Sequence, residues 1–424
     1  MTRNPTNFFT RERQEVLEDL LGNIEEHRTF LDMIGKASAE LWHRYARIND
    51  PNNGRDLSQK LSASNGHLAF RVAIEPFMDP HQYGFRGSFL PMEAFTFINH
   101  DERIGGLPAQ IYIMGLEMIA QGNPSVALSL AIDGSVLSAL WQLGNERQKQ
   151  RYVIDSLSDK KMLAFAQTEP NAGSDVPGII STALREGNNY ILSGEKTWIT
   201  NSDWADYYFT VLRTKQQSGK SGNELSILMI HKNEIPNIRL LEKYPTPGSF
   251  TGALSLDGAI VPVEDGVERM VGKEGDGYSA AKELLNGGRV TIAAFGLGIG
   301  QEVLDSAVHY ASERTVNRKR VIDYQAKTNE LASLRAELDG ARALTYRAAR
   351  RMNYGNPGVL ASEAKLLATE AAFRLCDANI RIHAANGMSP DFRAMSLMHE
   401  IYVGIIGEGT NDIQRAIIGK TLKS

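Results

Sequence analysis

The 424-residue sequence has a single cysteine, Cys376, which permits no internal disulfide and no thiolate metal cluster. It also lacks a surplus of either charge. Against 46 Lys and Arg stand 50 Asp and Glu, a net charge of −4, so the basic excess that a dedicated nucleic-acid binder turns toward phosphate is missing. Long apolar runs are scarce too. The stretch from Gln121 to Leu140 is broken by Gly, Asn, Pro and Asp, which argues against a span of about 20 apolar residues. Residues 1–20 hold no apolar block, and Glu12, Glu15, Glu18 and Asp19 do not suit a transit peptide, so the expected location is cytoplasmic. Proline (15) and glycine (38) are not extreme. With 42% hydrophobic and 23% charged residues, the composition excludes disorder and collagen-like repeats and leaves a large globular chain of two or three domains.

Common catalytic motifs are absent as well. There is no Walker A, no HExxH and no G-x-S-x-G. Gly296, Gly298 and Gly300 alternate, but a dinucleotide fingerprint needs its last glycine where Gln301 stands, so close helix packing is the better reading. The nine histidines are scattered and suggest no metal site.

What is present falls into three textures. Residues 1–163 read as an N-terminal helical domain: Val16, Leu20, Leu21 and Ile24 share a helical face, and Pro108–Met118 and Ser125–Leu143 are nearly apolar helices. Asn, Gly and Ser between Asp50 and Gly66 predict a loop. Residues 164–273 change to short β-type runs at Tyr190–Leu192, Tyr207–Leu212, Leu225–Ile230 and Ala253–Leu256. These are separated by turns such as Gly187-Asn188-Asn189, Ser218-Gly219, Ser221-Gly222-Asn223 and Pro245-Thr246-Pro247-Gly248, which predicts an antiparallel sheet or barrel. Residues 274–424 return to helices, with Leu331, Leu334, Leu338, Ala341 and Leu344 in three- and four-residue steps, as in a four-helix-bundle-like domain. The fold class is therefore α+β and multi-domain, in the order helices, sheet, helices.

Three segments concentrate polar chemistry. Phe165-Ala166-Gln167-Thr168-Glu169-Pro170-Asn171-Ala172-Gly173-Ser174-Asp175 runs from apolar residues into a turn; it reads either as an ordinary Asx or Pro turn or as a bed of donors for a polar ring. Gly194-Glu195-Lys196-Thr197-Trp198-Ile199-Thr200-Asn201 sets an aromatic face beside hydroxyls. Gly407-Glu408-Gly409-Thr410-Asn411-Asp412-Ile413-Gln414-Arg415 places a carboxylate between glycines next to an apolar run, which either begins a helix or admits a ligand close to the backbone.

Taken together and in order, T-E-P-x-A-G-S-D, G-x-K-x-W-I-T-N and E-G-T-x-x-I-Q-R resemble the acyl-CoA dehydrogenase family of FAD flavoenzymes, over about residue 105 to Arg415. The resemblance implies α,β-dehydrogenation of an acyl-CoA thioester to trans-2-enoyl-CoA. Glu408 would be the catalytic base and the hydride would pass to flavin N5. It implies FAD contacts at Phe165, Gln167, Thr168, Ser174, Trp198, Thr200, Arg314, Gln325 and Thr410, and substrate contacts at Ser174, Asn286, Arg289 and Gly409, with the Glu408 and Gly409 backbone at the thioester. Burial would raise the pKa of Glu408 and a following helix N-terminus would lower it. An alternative family position for the base, just before Arg289, is occupied by Gly288. The resemblance further implies a homo-oligomer, most often a tetramer, with Arg314 serving a neighbouring subunit, and an electron-transfer flavoprotein as acceptor. Use of oxygen in the manner of an acyl-CoA oxidase, or a non-catalytic acyl-CoA-binding paralogue, are the competing readings.

Departures from the family pattern cluster in its FAD diphosphate half. Asn317-Arg318 replace Phe-Gly, and Arg381-Ile382-His383-Ala384-Ala385-Asn386-Gly387 replaces Gln-x-x-Gly-Gly-x-Gly, while Gly407 replaces an aromatic residue before the base. Arg318 and Arg381 are thus expected to add charge to Arg314 at the diphosphate. Small residues around Asn123–Ala131 either leave room for a medium or long straight acyl chain or serve close helix packing.

Overall fold

A computed structural model describes residues 31–39, 77, 85, 108–215, 224–246 and 248–423. The expected helical face of Val16–Ile24, the loop between Asp50 and Gly66, the turns at 218–223 and Pro247 lie outside the described residues.

Helices α1 (Ala109–Gly122) and α2 (Pro124–Leu143) follow each other with one residue between. Asn123 caps α2 by accepting from the Val126 amide, and Pro124 sits at the first turn, where a missing N–H costs nothing. α2 corrects the expectation that no segment matches a membrane span. Its 20 residues have a mean hydropathy of 1.5 in the most apolar window, yet 72% of that window is buried inside the protein. Burial from all sides, between α1, the first strand and a later helix, is what its low polarity serves.

The strands then follow: β1 (Leu163–Ala166), β2 (Thr182–Glu186), β3 (Asn189–Ser193), β4 (Glu195–Thr200), β5 (Tyr207–Arg213), β6 (Leu225–His231), β7 (Asn237–Leu240), β8 (Thr251–Ser255), β9 (Ile260–Pro262) and β10 (Met270–Val271). One sheet runs in the order β10-β6-β5-β2-β3-β9 with β1 also paired to β5, and a second in the order β4-β8-β7. Most pairs are antiparallel, but β1 and β2 both run parallel to β5, so the purely antiparallel expectation is corrected. β5 is buried along its whole length and carries no alternation, as a central strand covered on both faces should.

The third region is helical: α3 (Gly277–Glu313), a tight hairpin of β11 (Thr315–Val316) and β12 (Lys319–Arg320), α4 (Gln325–Met352), α5 (Val359–His383), α6 (Ala394–Ile406) and α7 (Asn411–Thr421). α3 packs on α1, α2, α4, α5 and α6, and one apolar core joins these helices to residues 31–39. The alternating glycines do serve close packing. A Cβ on Gly298 would stand 2.3 Å from the Glu117 carbonyl of α1, and one on Gly300 would stand 2.8 Å from Leu338 of α4. Across the α1–α4 contact, Arg342 Nε donates to buried Glu117 at 3.0 Å and the Tyr346 hydroxyl donates at 2.5 Å.

Candidate active site

The first two polar segments are brought side by side. The Thr197 amide of β4 donates to the Thr168 carbonyl at 2.8 Å. Beneath this contact lies a buried ion pair: Lys196 Nζ donates to Glu169 Oε1 at 2.7 Å and to the Gln167 carbonyl at 3.1 Å. The Ile180 and Ser181 amides also donate to the Glu169 carboxylate, at 2.8 and 3.0 Å. Burial works against the ionised Glu169, but Lys196 and these donors outweigh it and hold the carboxyl below its usual range. Burial pulls the Lys196 ammonium down to about 8 against the pull of Glu169, so both are charged at neutral pH. Neither side chain was singled out in the sequence, although both stand inside the quoted motifs.

β4 is interrupted between Lys196 and Ile199 by a bulge, and Trp198 sits in it at φ +58°. A bulge re-aims a side chain, and here it leaves the indole 59% exposed, on a strand whose neighbours are buried. Phe165 is half-buried against the core, Gln167 is buried with its Oε1 unpartnered, Thr168 and Thr200 are half-buried, and Ser174 is exposed. Asn201, also at positive φ, fixes the end of β4 by donating to the carbonyls of Ser129 on α2 (3.1 Å) and Leu163 on β1 (3.3 Å).

The third segment lies between α6 and α7. Thr410 is the N-cap of α7, its hydroxyl accepting from the Ile413 amide at 3.3 Å, so the helix-start reading holds for Thr410. Glu408 is different: it precedes the helix at φ +54°, a conformation costly for a side chain with a Cβ, and Gly409 follows at φ +81°. Its side chain turns inward against α3, where a Cβ on Gly288 would stand 2.5 Å from Glu408 Oε2. The bare Gly288 therefore makes the space that the carboxylate occupies. Oε2 is enclosed and has no hydrogen-bond partner. Burial raises the Glu408 pKa to about 7, with Arg289 and Lys365 pulling the other way. Arg289 is buried one residue from Gly288; its Nη1 donates to Asn286 Oδ1 at 2.5 Å and its Nε is unpartnered.

Sequence reasoning missed Lys365 of α5, a fully buried side chain among alanines. Its Nζ donates to the carbonyls of Ile405 (3.0 Å) and Gly409 (2.9 Å) and to Asn411 Oδ1 (2.7 Å), on either side of Glu408.

Arg314, Gln325 and Arg381 are placed elsewhere. Arg314 caps the far end of α3 and Gln325 opens α4, both exposed. No carboxylate among the described residues pairs with Arg314 or Arg318. Arg381 pairs with Glu330 at 2.7 Å and Asp377 at 2.9 Å, so its half-exposed guanidinium is engaged within the chain.

Polar chemistry thus gathers at two places: the half-buried Glu408, whose enclosed Oε2 has no partner and whose pKa is raised, and the braced segments around Trp198 with their aromatic and hydroxyl groups. The chain belongs to the acyl-CoA dehydrogenase family. It matches the acyl-CoA dehydrogenase middle domain over residues 164–259 and the acyl-CoA dehydrogenase C-terminal domain over 275–423. It is 35% identical over 375 residues to an acyl-CoA dehydrogenase of Bacillus subtilis (strain 168), covering 87% of this chain and 95% of that one. To a glutaryl-CoA dehydrogenase of Desulfococcus multivorans it is 33% identical, over 84% of this chain and 89% of the relative. Among solved structures, butyryl-CoA dehydrogenase from Megasphaera elsdenii superposes with a TM-score of 0.83 at 26% identity, over 94% and 98% of the two chains. FAD is the cofactor of this family and of this chain. The orphaned Gln167 Oε1 and the outward-facing Trp198 fit a polar aromatic ring system at this place.

Proposed function

We propose that the protein oxidises an acyl-CoA thioester to its trans-2-enoyl-CoA form, with Glu408 removing the α-proton. The observation that carries this reading is the half-buried Glu408, its enclosed, unpartnered Oε2 set against Gly288 and its pKa raised to about 7 by burial. A base poised near working pH combines a useful deprotonated fraction with a real affinity for the proton. The Cα–H proton goes to the Glu408 carboxylate, and the two electrons and hydrogen of Cβ–H leave as hydride; bound FAD supplies the acceptor, at flavin N5. The Glu408 and Gly409 backbone is assigned to the thioester carbonyl, and Arg289 with Asn286 to the CoA side of the site. Arg289 also adds positive charge where an enolate-like charge develops. Gln167, Thr168, Ser174, Trp198, Thr200 and Phe165 are assigned to the isoalloxazine ring, with Thr410 nearby.

Arg314 supports the oligomeric part of the reading. It lies about 37 Å along α3 from Arg289, at 1.5 Å per residue, so a cofactor seated near Glu408 meets this arginine only from another subunit. We assign a homo-oligomer on that basis, an electron-transfer flavoprotein as acceptor, and an acyl chain of medium or long straight type seated along the small residues of α2. Anaerobic bleaching of the flavin by acyl-CoAs of graded length tests the last point, and a clear preference for butyryl-CoA would refute it.

The central test is Glu408→Gln. In the parent, the rate of flavin reduction should rise as pH climbs through about 7, because the carboxyl must lose its proton before it can act. The glutamine variant should retain FAD, bind acyl-CoA, and lose at least ~100-fold in reduction rate with no such rise. Parent-like reduction by the variant would sink the assignment.

A further inference from the structure

The loop that carries Glu408 holds an unfavourable backbone conformation, at φ +54° for Glu408 followed by +81° for Gly409. Such a conformation persists only where surrounding structure over-determines it. Three of the groups around it converge on one atom. Lys365 Nζ takes the Ile405 carbonyl near the end of α6, the Gly409 carbonyl just after the base, and Asn411 Oδ1 in the first turn of α7, all within 2.7–3.0 Å. An ammonium has three N–H donors, and three acceptors surround it, so the match is complete only in the charged form. Asn411 is held in turn: its Nδ2 donates to Glu370 Oε1 at 2.9 Å and to Thr369 Oγ1 at 3.1 Å.

We infer that Lys365 is a positioning residue for the reaction, clamping both ends of the Glu408 loop to α5 and setting the charge that the base feels. The inference rests on the reading of Glu408 as the base. The charged groups facing Lys365 are Glu408 itself, Arg289 of α3, Glu370 of α5 and Arg415 of α7. Burial pulls the lysine down to about 7, with Glu408 and Glu370 supporting its charge and Arg289 and Arg415 opposing it. Two cations, Lys365 and Arg289, oppose the burial that raises Glu408. Removing one of them leaves burial less opposed, so the base should become harder to ionise.

Two substitutions separate clamp from charge. Lys365→Met keeps length and loses both. Lys365→Arg keeps the charge, but a planar guanidinium cannot point three donors at acceptors arranged around a single nitrogen. Rates should be expressed per folded, FAD-loaded molecule. For Lys365→Met we expect a fall in kcat of about tenfold or more at near-parent KM, with the acidic limb of the pH–rate profile moved up by about one unit. For Lys365→Arg we expect a similar fall in kcat with the acidic limb left in place. Exchange of the α-hydrogens of a non-oxidisable acyl-CoA analogue with deuterated solvent reports the base alone, and it should slow in both variants. If Lys365→Met does not fold, the arginine variant decides: parent-like kcat and exchange in it overturn the inference. So does a methionine variant whose loss is explained by unfolded protein, with the acidic limb unmoved. Glu408→Gln, run beside them, keeps the two readings apart. Activity lost there but kept in the Lys365 variants refutes the clamp alone, and activity kept in Glu408→Gln refutes the base.

Discussion

At the scale of single residues, backbone conformation marks the places where this chain departs from ordinary geometry. Trp198 and Glu408, one in each of two quoted motifs, both stand at positive φ. Ala384 shares the property outside those two motifs. It caps α5 at φ +54°, ψ −131°, a region that glycine occupies freely and alanine does not. This is the first of the two positions where family resemblance leads one to expect Gly-Gly, so the alanine keeps a glycine's conformation and carries its steric cost. Ala384→Gly should therefore stabilise the protein by about 1 kcal/mol, after allowing for the greater freedom of glycine in the unfolded chain, and should raise Tm by about 1 °C for a chain of this length. An unchanged or lower Tm would mean that the methyl group finds compensating contacts.

At the scale of elements, close approach of helices sets the frame of the site. Gly298 lets α3 lie directly on α1, and a methyl group there would meet the Glu117 carbonyl at 2.3 Å and Ala120 Cβ at 2.6 Å. Gly298→Ala should push the two helices apart and destabilise the protein by about 1–3 kcal/mol in chemical denaturation, a cost of overpacking rather than of lost hydrophobic area. The glycine alternation behind this was readable in the sequence because it is local and periodic. So were the helices and most strands, and so was the family, which three short motifs in order carry together where any one alone leaves two readings open. Lys365 was not readable, because its three acceptors lie 40, 44 and 46 residues away and the residues beside it, Ala364 and Leu366, are apolar. The same distance in sequence hid the parallel pairing of Leu163–Ala166 with Tyr207–Thr210. Periodicity reports which face of an element is buried, not what it meets there.

At the scale of the molecule, α3 links the site to the basic hairpin. Arg289 lies about a third of the way along it, and Arg314, Arg318, Lys319 and Arg320 lie at its C-terminal end. Arg320 is paired with Asp323 at 2.9 Å, and Arg381 is paired with Glu330 and Asp377, whereas Arg314 and Arg318 pair with no carboxylate among the described residues. Arg314→Ala should lower FAD occupancy, more so at high salt, and the assembled mass should fall with it; Arg381→Ala should leave both near the parent value. Full occupancy in Arg314→Ala at high salt would detach that arginine from the cofactor. One more consequence reaches back to how the chain is made. α2 is apolar enough to pass for a membrane segment, and an important part of its cover is α3, which begins at Gly277, more than 130 residues after α2 ends. At about 5–20 residues per second, a ribosome needs several seconds or more to deliver that cover. During those seconds α2 is a greasy helix on a nascent chain without its α3 cover, so the quality of early folding, and any chaperone that shields residues 124–143, bears on the yield of this enzyme before its chemistry begins.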